Sequence, residues 1–252
     1  MLDKNILGIK IDKSTKKNIL EQIIKSINVK QDFFHIVSLN PENLVIATEN
    51  AAFKKVVTTA QMKIIDGAGV VAAGRLLGVE VGERYPGVDL MEDLLTLASQ
   101  MRLRVLFIGG EANLAEELAK CYQVKHPQAK YAGMMGIKNI NFPEESEEKQ
   151  ISAIVGGMKP NIVFTAFGSP AQEIWLDRHK ELFKECICMG VGGGFDFLSG
   201  KVQRAPKLIR QLGFEWLYRL LHQPWRWKRQ LRLINFFFLV VGQKLTLWKK
   251  QS

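Results

Sequence analysis

The chain has 252 residues, 47% of them hydrophobic and 24% charged, with 21 glycines and a formal net charge of +10. This composition excludes a disordered chain, a collagen and a minimal disulfide scaffold, because it supplies enough apolar surface for a sizeable core. The charge is uneven: residues 201–252 hold 12 Lys and Arg against one acid, Glu215, whereas residues 1–200 hold 23 basic and 24 acidic side chains. A near-neutral domain of residues 1–200 carrying a basic appendage of residues 201–252 is the expected organisation.

In chain order, a small element at 6–11 precedes a helical pattern at 15–28. Short apolar or β-branched runs at 33–38, 62–65, 104–108, 129–132, 162–167 and 186–191 each end in turn residues and read as buried strands. Helical segments at 41–59, 87–101, 112–125, 144–158 and 170–183 lie between them. Helix-length spacers between short buried strands are what parallel crossovers require, so the expected class is α/β with a largely parallel sheet. The appendage reads as two helices, 206–221 and 225–248, hinged at Gln223-Pro224. Four of the five tryptophans (Trp216, Trp225, Trp227, Trp248) lie in it. Cations and aromatics on helices suit a membrane interface or a polyanion. Its most apolar stretch, 233–241, reaches about 14 Å as a helix against about 30 Å of hydrocarbon, so the tail is expected to lie on a membrane and not to span it. The charged N-terminus does not suit a cleaved secretory signal. Cys121, Cys186 and Cys188 read as buried, reduced thiols.

Ligands of open parallel sheets bind beyond the carboxyl ends of the strands, so the residues found there are the candidates. Ser38 and Asn40 follow the first strand, where Asn40 can cap the next helix, contact a ligand, or do both. Asp66 opens the Asp66-Gly67-Ala68-Gly69 turn after the second, as a helix cap or as a general base on a rigid element. Arg84 lies in Arg84-Tyr85-Pro86-Gly87-Val88-Asp89, as a surface cation or a phosphate clamp. Gly109 and Gly110 follow the third strand and expose backbone N–H groups near a helix start. Gln172 and Glu173 lie in the first turn after Gly168-Ser169-Pro170, facing the cleft or capping that helix. Gly192, Gly193 and Gly194 imply close approach of the backbone to a ligand or to a neighbouring segment. The Gly-x-Gly-x-x-Gly spacing, a Walker loop, His-Glu-x-x-His and Gly-x-Ser-x-Gly are all missing, which argues against dinucleotide binding, a zinc hydrolase and a serine hydrolase. Asp-x-Asp is missing as well, so no metal site and no cofactor is expected, and a bound diphosphate would have to be neutralised by arginines and helix N-termini.

Taken in order, Asn40-Pro41-Glu42-Asn43, Asp66-Gly67-Ala68-Gly69, Arg84-Tyr85-Pro86-Gly87-Val88-Asp89, Phe167-Gly168-Ser169-Pro170-Ala171-Gln172-Glu173 and Gly192-Gly193-Gly194-Phe195-Asp196-Phe197 resemble the WecG/TagA/CpsF family of bacterial glycosyltransferases. The appendage does too, from Gly200-Lys201-Val202-Gln203-Arg204-Ala205-Pro206 through Glu215-Trp216-Leu217-Tyr218-Arg219 to Gln223-Pro224-Trp225-Arg226-Trp227. The resemblance implies a Rossmann-like core and a C-terminal appendage that docks at the cytoplasmic face of the membrane. It also implies inverting, metal-independent transfer of an N-acetylhexosamine, N-acetylmannosamine first, from a UDP-sugar to N-acetylglucosaminyl-diphospho-undecaprenol. Asp66 matches the family's candidate base, and Ser38 stands where a Thr is familiar. Arg84, with Arg219, Arg226 and Arg229 from the appendage, would meet the leaving diphosphate. Asn40 and Gln172 would hydrogen-bond sugar or nucleotide, with Gly109 and Gly110 near the ribose or phosphates. A non-catalytic, membrane-surface nucleotide-binding regulator is the alternative, and it leaves Asp66 without a task. Nucleic acid is not an expected partner; such binding would weaken steeply with salt and need no lipid. Away from a membrane, the apolar tail could be buried in a homo-oligomer.

Overall fold

The structure is a computed structural model, described here for residues 5–111, 113–224 and 227–249, without the side chains of residues 228–230. Strands β1 (Asn5–Ile6) and β2 (Ile9–Lys10) form a short antiparallel hairpin. Helix α1 (Lys16–Asn28) starts at Thr15, whose hydroxyl accepts the Asn18 N–H. Then come β3 (Phe34–Leu39), α2 (Pro41–Glu49), α3 (Ala51–Thr59), β4 (Met62–Ile65), α4 (Ala68–Leu77), α5 (Gly87–Gln100), β5 (Arg104–Gly109) and α6 (Leu114–Lys125). The body closes with β6 (Lys130–Met134), α7 (Glu145–Met158), β7 (Ile162–Ala166), α8 (Ala171–Arg178), β8 (Ile187–Gly190) and the short α9 (Gly194–Leu198). The appendage contributes α10 (Lys207–Gln211), α11 (Glu215–His222) and α12 (Trp227–Lys249).

The main sheet has the order β4-β3-β8-β7-β5-β6, and every pairing in it is parallel. Alternation along each strand divides the core. Ile36, Ile64, Phe107, Phe164 and Met189 face α1, α5, α6 and α9. On the other face, Val37, Leu39 and Ile65 meet α2, α3, α4 and α12, while Leu106, Val163 and Cys188 meet α7 and α8. This is a three-layer Rossmann-like α/β fold.

Some details depart from the expectations, among them the helix expected over 170–183, which ends at Arg178. The segment 41–59 is two helices, because Asn50 takes an extended backbone and accepts the Phe53 N–H, ending α2 and starting α3. The segment 206–221 is also broken, at Gly213, whose φ of +81° is left-handed and suits glycine. Cys186 and Cys188 are buried, but Cys121 is exposed on α6.

The appendage is welded to the body. Phe236 and Val240, one helical turn apart, are buried in the core that contains α2 and α4. Around them Arg232 pairs with Glu42 at 2.8 Å, Asn235 Nδ2 donates to Glu49, and Gln243 Oε1 accepts the Leu7 N–H. On its opposite side α12 leaves Leu231, Ile234, Phe237, Phe238, Leu245 and Trp248 exposed. The run of three phenylalanines is therefore divided between core and solvent. Because α12 continues through Gly242 to Lys249, its 19 residues Leu231–Lys249, of mean hydropathy 1.3, are by length and composition enough to cross a bilayer, which the stretch 233–241 was not. In the structure it lies along α2 and α4. Truncating the inward ring, Phe236→Ala, should cost about 3 kcal/mol of stability through the cavity it leaves, measured by urea unfolding.

Candidate active site

The carboxyl edge of the sheet is assembled by register. Leu39 pairs with Ile65 across β3 and β4, so Asn40 and Asp66 emerge side by side. Gly67 permits this approach: a Cβ there would lie 2.7 Å from Pro41 Cδ and 3.4 Å from Asn40 Cβ. By the two-residue period, Ser38 and Asp66 share the sheet face of Ile36 and Ile64. Both reach the N-terminus of α5, where a Cβ at Gly87 would be 3.1 Å from Ser38 Oγ and 3.9 Å from Asp66 Oδ2.

Asp66 does not cap its own helix; α4 starts at Gly67 with no side-chain cap. Its Oδ1 instead accepts the Gly87 N–H of α5 at 3.1 Å, and its main-chain N–H donates to Leu39 O at 2.9 Å. The residue is thus held by its main chain and by one carboxylate oxygen. Burial raises its pKa above the ordinary aspartate range; the Gly87 N–H opposes that rise, Glu215 adds to it, and Arg84 and Arg219 oppose it. A carboxyl so placed takes up a proton more readily than a solvated one.

Arg84 is bound into the site from three sides. Its Nε donates to Asp66 O at 3.2 Å, its Nη1 donates to Arg210 O at 2.7 Å, and its Nη2 lies 3.8 Å from Glu215. It therefore joins the end of β4 to the appendage. Arg219 comes in from α11 with its guanidinium 4.3 Å from the Phe197 ring centroid. Arg226 lies outside the described residues, as does the side chain of Arg229. Of the predicted cations, Arg84 and Arg219 converge on Asp66.

The remaining candidates hold the scaffold. Asn40 Oδ1 caps α2 by accepting the Asn43 N–H at 2.8 Å. Gln172 is 3% exposed; its Oε1 accepts the N–H groups of Gly168 and Gly192, and its Nε2 donates to Glu173 Oε1. Its amide thus clasps the β7 and β8 turns together from beneath them. Gly190 makes room for it, since a Cβ there would be 2.5 Å from Gln172 Nε2. Gly109 and Gly110 have φ of +97° and +86°, and the Gly110 N–H donates to Ala166 O at 3.0 Å. That donor is used inside the fold. Glu116 and Glu117 stand in the first turn of α6, where their charge would oppose a phosphate.

Two groups have structural roles that sequence reasoning did not assign. Buried Asn43 links β3 to the turn before α8, donating through Nδ2 to Ser38 O at 2.8 Å and accepting the Ser169 hydroxyl at 3.0 Å. Beside it Glu173 is 2% exposed, and burial raises its pKa. The second group is Asp89, Arg204 and Glu215, which fasten the appendage to the body. The lone acid of the tail was the available signal for it.

A parallel Rossmann-like sheet with a buried carboxyl at its carboxyl edge and a cationic helical cover is the layout of an α/β enzyme whose ligand site lies beyond the strand ends. The chain belongs to the glycosyl transferase WecG/TagA/CpsF family, whose model matches residues 4–250. It is 32% identical over 249 residues to the N-acetylglucosaminyldiphosphoundecaprenol N-acetyl-beta-D-mannosaminyltransferase of Staphylococcus aureus, covering 98% of this chain and 94% of that protein. It is also 32% identical over 206 residues to the protein of the same name from Bacillus spizizenii, covering 82% of this chain and 78% of the relative.

Proposed function

We propose that this glycosyltransferase moves N-acetylmannosamine from UDP-N-acetylmannosamine to N-acetylglucosaminyl-diphospho-undecaprenol, with inversion and without a metal, at the cytoplasmic face of the cell membrane. The product would feed assembly of a surface polysaccharide or teichoic acid. The observation that carries this reading is the Asp66 carboxyl, held by the Gly87 N–H beneath Arg84 and Arg219. The names of the two relatives supply the acceptor and the sugar.

In the proposed step, the acceptor hydroxyl gives its proton to Asp66 while its oxygen bonds to the anomeric carbon. The bond from that carbon to the diphosphate oxygen breaks on the opposite face, and UDP leaves with the electron pair. Negative charge grows on the diphosphate only as this bond breaks, so Arg84, Arg219, Arg226 and Arg229 lower the barrier selectively. The Ser38 hydroxyl, beside Asp66, would orient the acceptor, and Asn40 would contribute from the neighbouring strand end. The exposed face of α12 would rest on the membrane and bring the cleft to a lipid-borne acceptor.

Incubation with a panel of UDP-sugars and a synthetic lipid-diphosphate acceptor, with and without EDTA, tests the reading. UDP release and a β-linked disaccharide product are expected with UDP-N-acetylmannosamine, insensitive to the chelator. UDP binding with no transfer from any donor would instead identify a regulator.

A further inference from the structure

A closed ring of charge fastens the appendage over Asp66, and the reaction above does not use its central member. Glu215 is the first residue of α11 and the only acid among residues 201–252. Its two carboxylate oxygens face different arginines: Oε2 is 3.8 Å from Arg84 Nη2, and Oε1 is 3.7 Å from Arg204 Nε. Arg204 pairs in turn with Asp89 at 2.5 Å, and Arg210 approaches the same Asp89 oxygen at 3.8 Å. Asp89 lies in the first turn of α5, two residues beyond the Gly87 N–H that holds Asp66. Arg84 completes the ring by donating to Asp66 O.

We propose that Glu215 is a positioning residue, which holds Arg84 and Arg204 in place above Asp66 and keeps Arg84 from pairing with the Asp66 carboxylate. The proposal deepens the glycosyltransferase reading and rests on it for its kinetic consequence.

Three observations carry it. Glu215 is anchored from behind, because Gly213 sits against Ala68, directly after the Asp66-Gly67 turn; a Cβ at 213 would lie 2.7 Å from Ala68 Cβ. Distances of 3.7 and 3.8 Å are charge pairing without a close hydrogen bond, so Arg84 is oriented while its Nη2 keeps donor capacity for a phosphate oxygen. The charged groups acting on Asp66 are Arg84 from the connection between α4 and α5 and Glu215 and Arg219 from α11, and among them Glu215 is the one that favours the protonated carboxyl. Removing its charge makes Asp66 easier to ionise and a weaker base.

The test is Glu215→Gln in the full chain, which keeps the shape and removes the charge. In the free protein, the carbon-13 titration of the Asp66 carboxyl, assigned with Asp66→Asn, should move to lower pH. With substrates, kcat should fall about ten-fold while the donor KM changes less than about three-fold, and the acid limb of kcat/KM should move to lower pH. In an Arg84→Gln background the same change should cost less than about two-fold, because the two residues act as a unit. An unmoved Asp66 titration overturns the proposal, and so does an equal kcat loss with or without Arg84. If Glu215→Gln does not fold, Arg204→Gln with the same titration decides it: loosening Glu215 from its second partner should also displace the Asp66 titration, and no displacement overturns the proposal. A wild-type protein without transferase activity would defeat the glycosyltransferase reading, and the titration would still decide the role of Glu215.

Discussion

Replacing Asp66 by Asn should lower kcat by about 10²- to 10⁴-fold, the range in which a positioned general base contributes, while UDP binding persists. The substitution is nearly isosteric, and its amide oxygen can still accept the Gly87 N–H that Asp66 Oδ1 accepts at 3.1 Å. Loss of the base is thereby separated from loss of the fold. Stability should move the other way. Because burial raises the pKa of Asp66 in the folded chain, the group contributes stability at low pH that is lost as pH rises through its folded value. The Asn variant lacks that loss, so at neutral pH its melting temperature should equal or exceed that of the wild type. The wild-type rate has the complementary dependence: kcat/KM falls as pH drops through the raised pKa, because only the carboxylate can accept the proton. Near-normal turnover in the Asn variant would remove Asp66 as the base.

The fold was legible because the information that fixes it is local and periodic. Six apolar runs bounded by turn residues fall within one or two residues of β3 to β8, and helix-length spacers force them parallel. Asp66 was legible as a candidate for the same reason, since a carboxylate beginning the turn after a buried strand must lie at the sheet edge. What it binds was not legible. Capping its own helix and serving as a base looked equal, and the partner it found is the N-terminus of α5, 21 residues away. Likewise Gln172 sits at the right edge, but only packing turns its amide inward against Gly168 and Gly192. The break at Asn50 needed knowledge of its backbone angles, because Asn is tolerated inside a helix as well as at its start. The ring through Glu215 joins residues 84, 89, 204 and 215, and no spacing rule connects positions so far apart.

Replacing both Phe237 and Phe238 by Gln should lower partitioning onto anionic vesicles by about 10²- to 10³-fold without changing the melting temperature. These side chains are 60% and 66% exposed on the face of α12 turned away from α2 and α4, so the fold loses little when they are changed. Moving roughly 80 Å² of each ring from water into the interfacial region, at about 25 cal/mol/Å², gives about 4 kcal/mol for the pair, which corresponds to about three orders of magnitude in affinity. Gln carries no charge, so the attraction between the basic appendage and anionic lipid is left in place. Salt should then divide the two contributions: the residual binding of the double variant is electrostatic and should fade as ionic strength rises, whereas the wild type keeps the part held by its apolar face. The same substitutions should reduce any concentration-dependent self-association seen by sedimentation without lipid, because the face that enters the membrane is also the apolar surface available to a second copy. Flotation with vesicles that is indifferent to these two rings would mean that α12 does not dock through its outer face, and the role of the appendage would then be limited to closing the site through Arg84, Arg204 and Glu215.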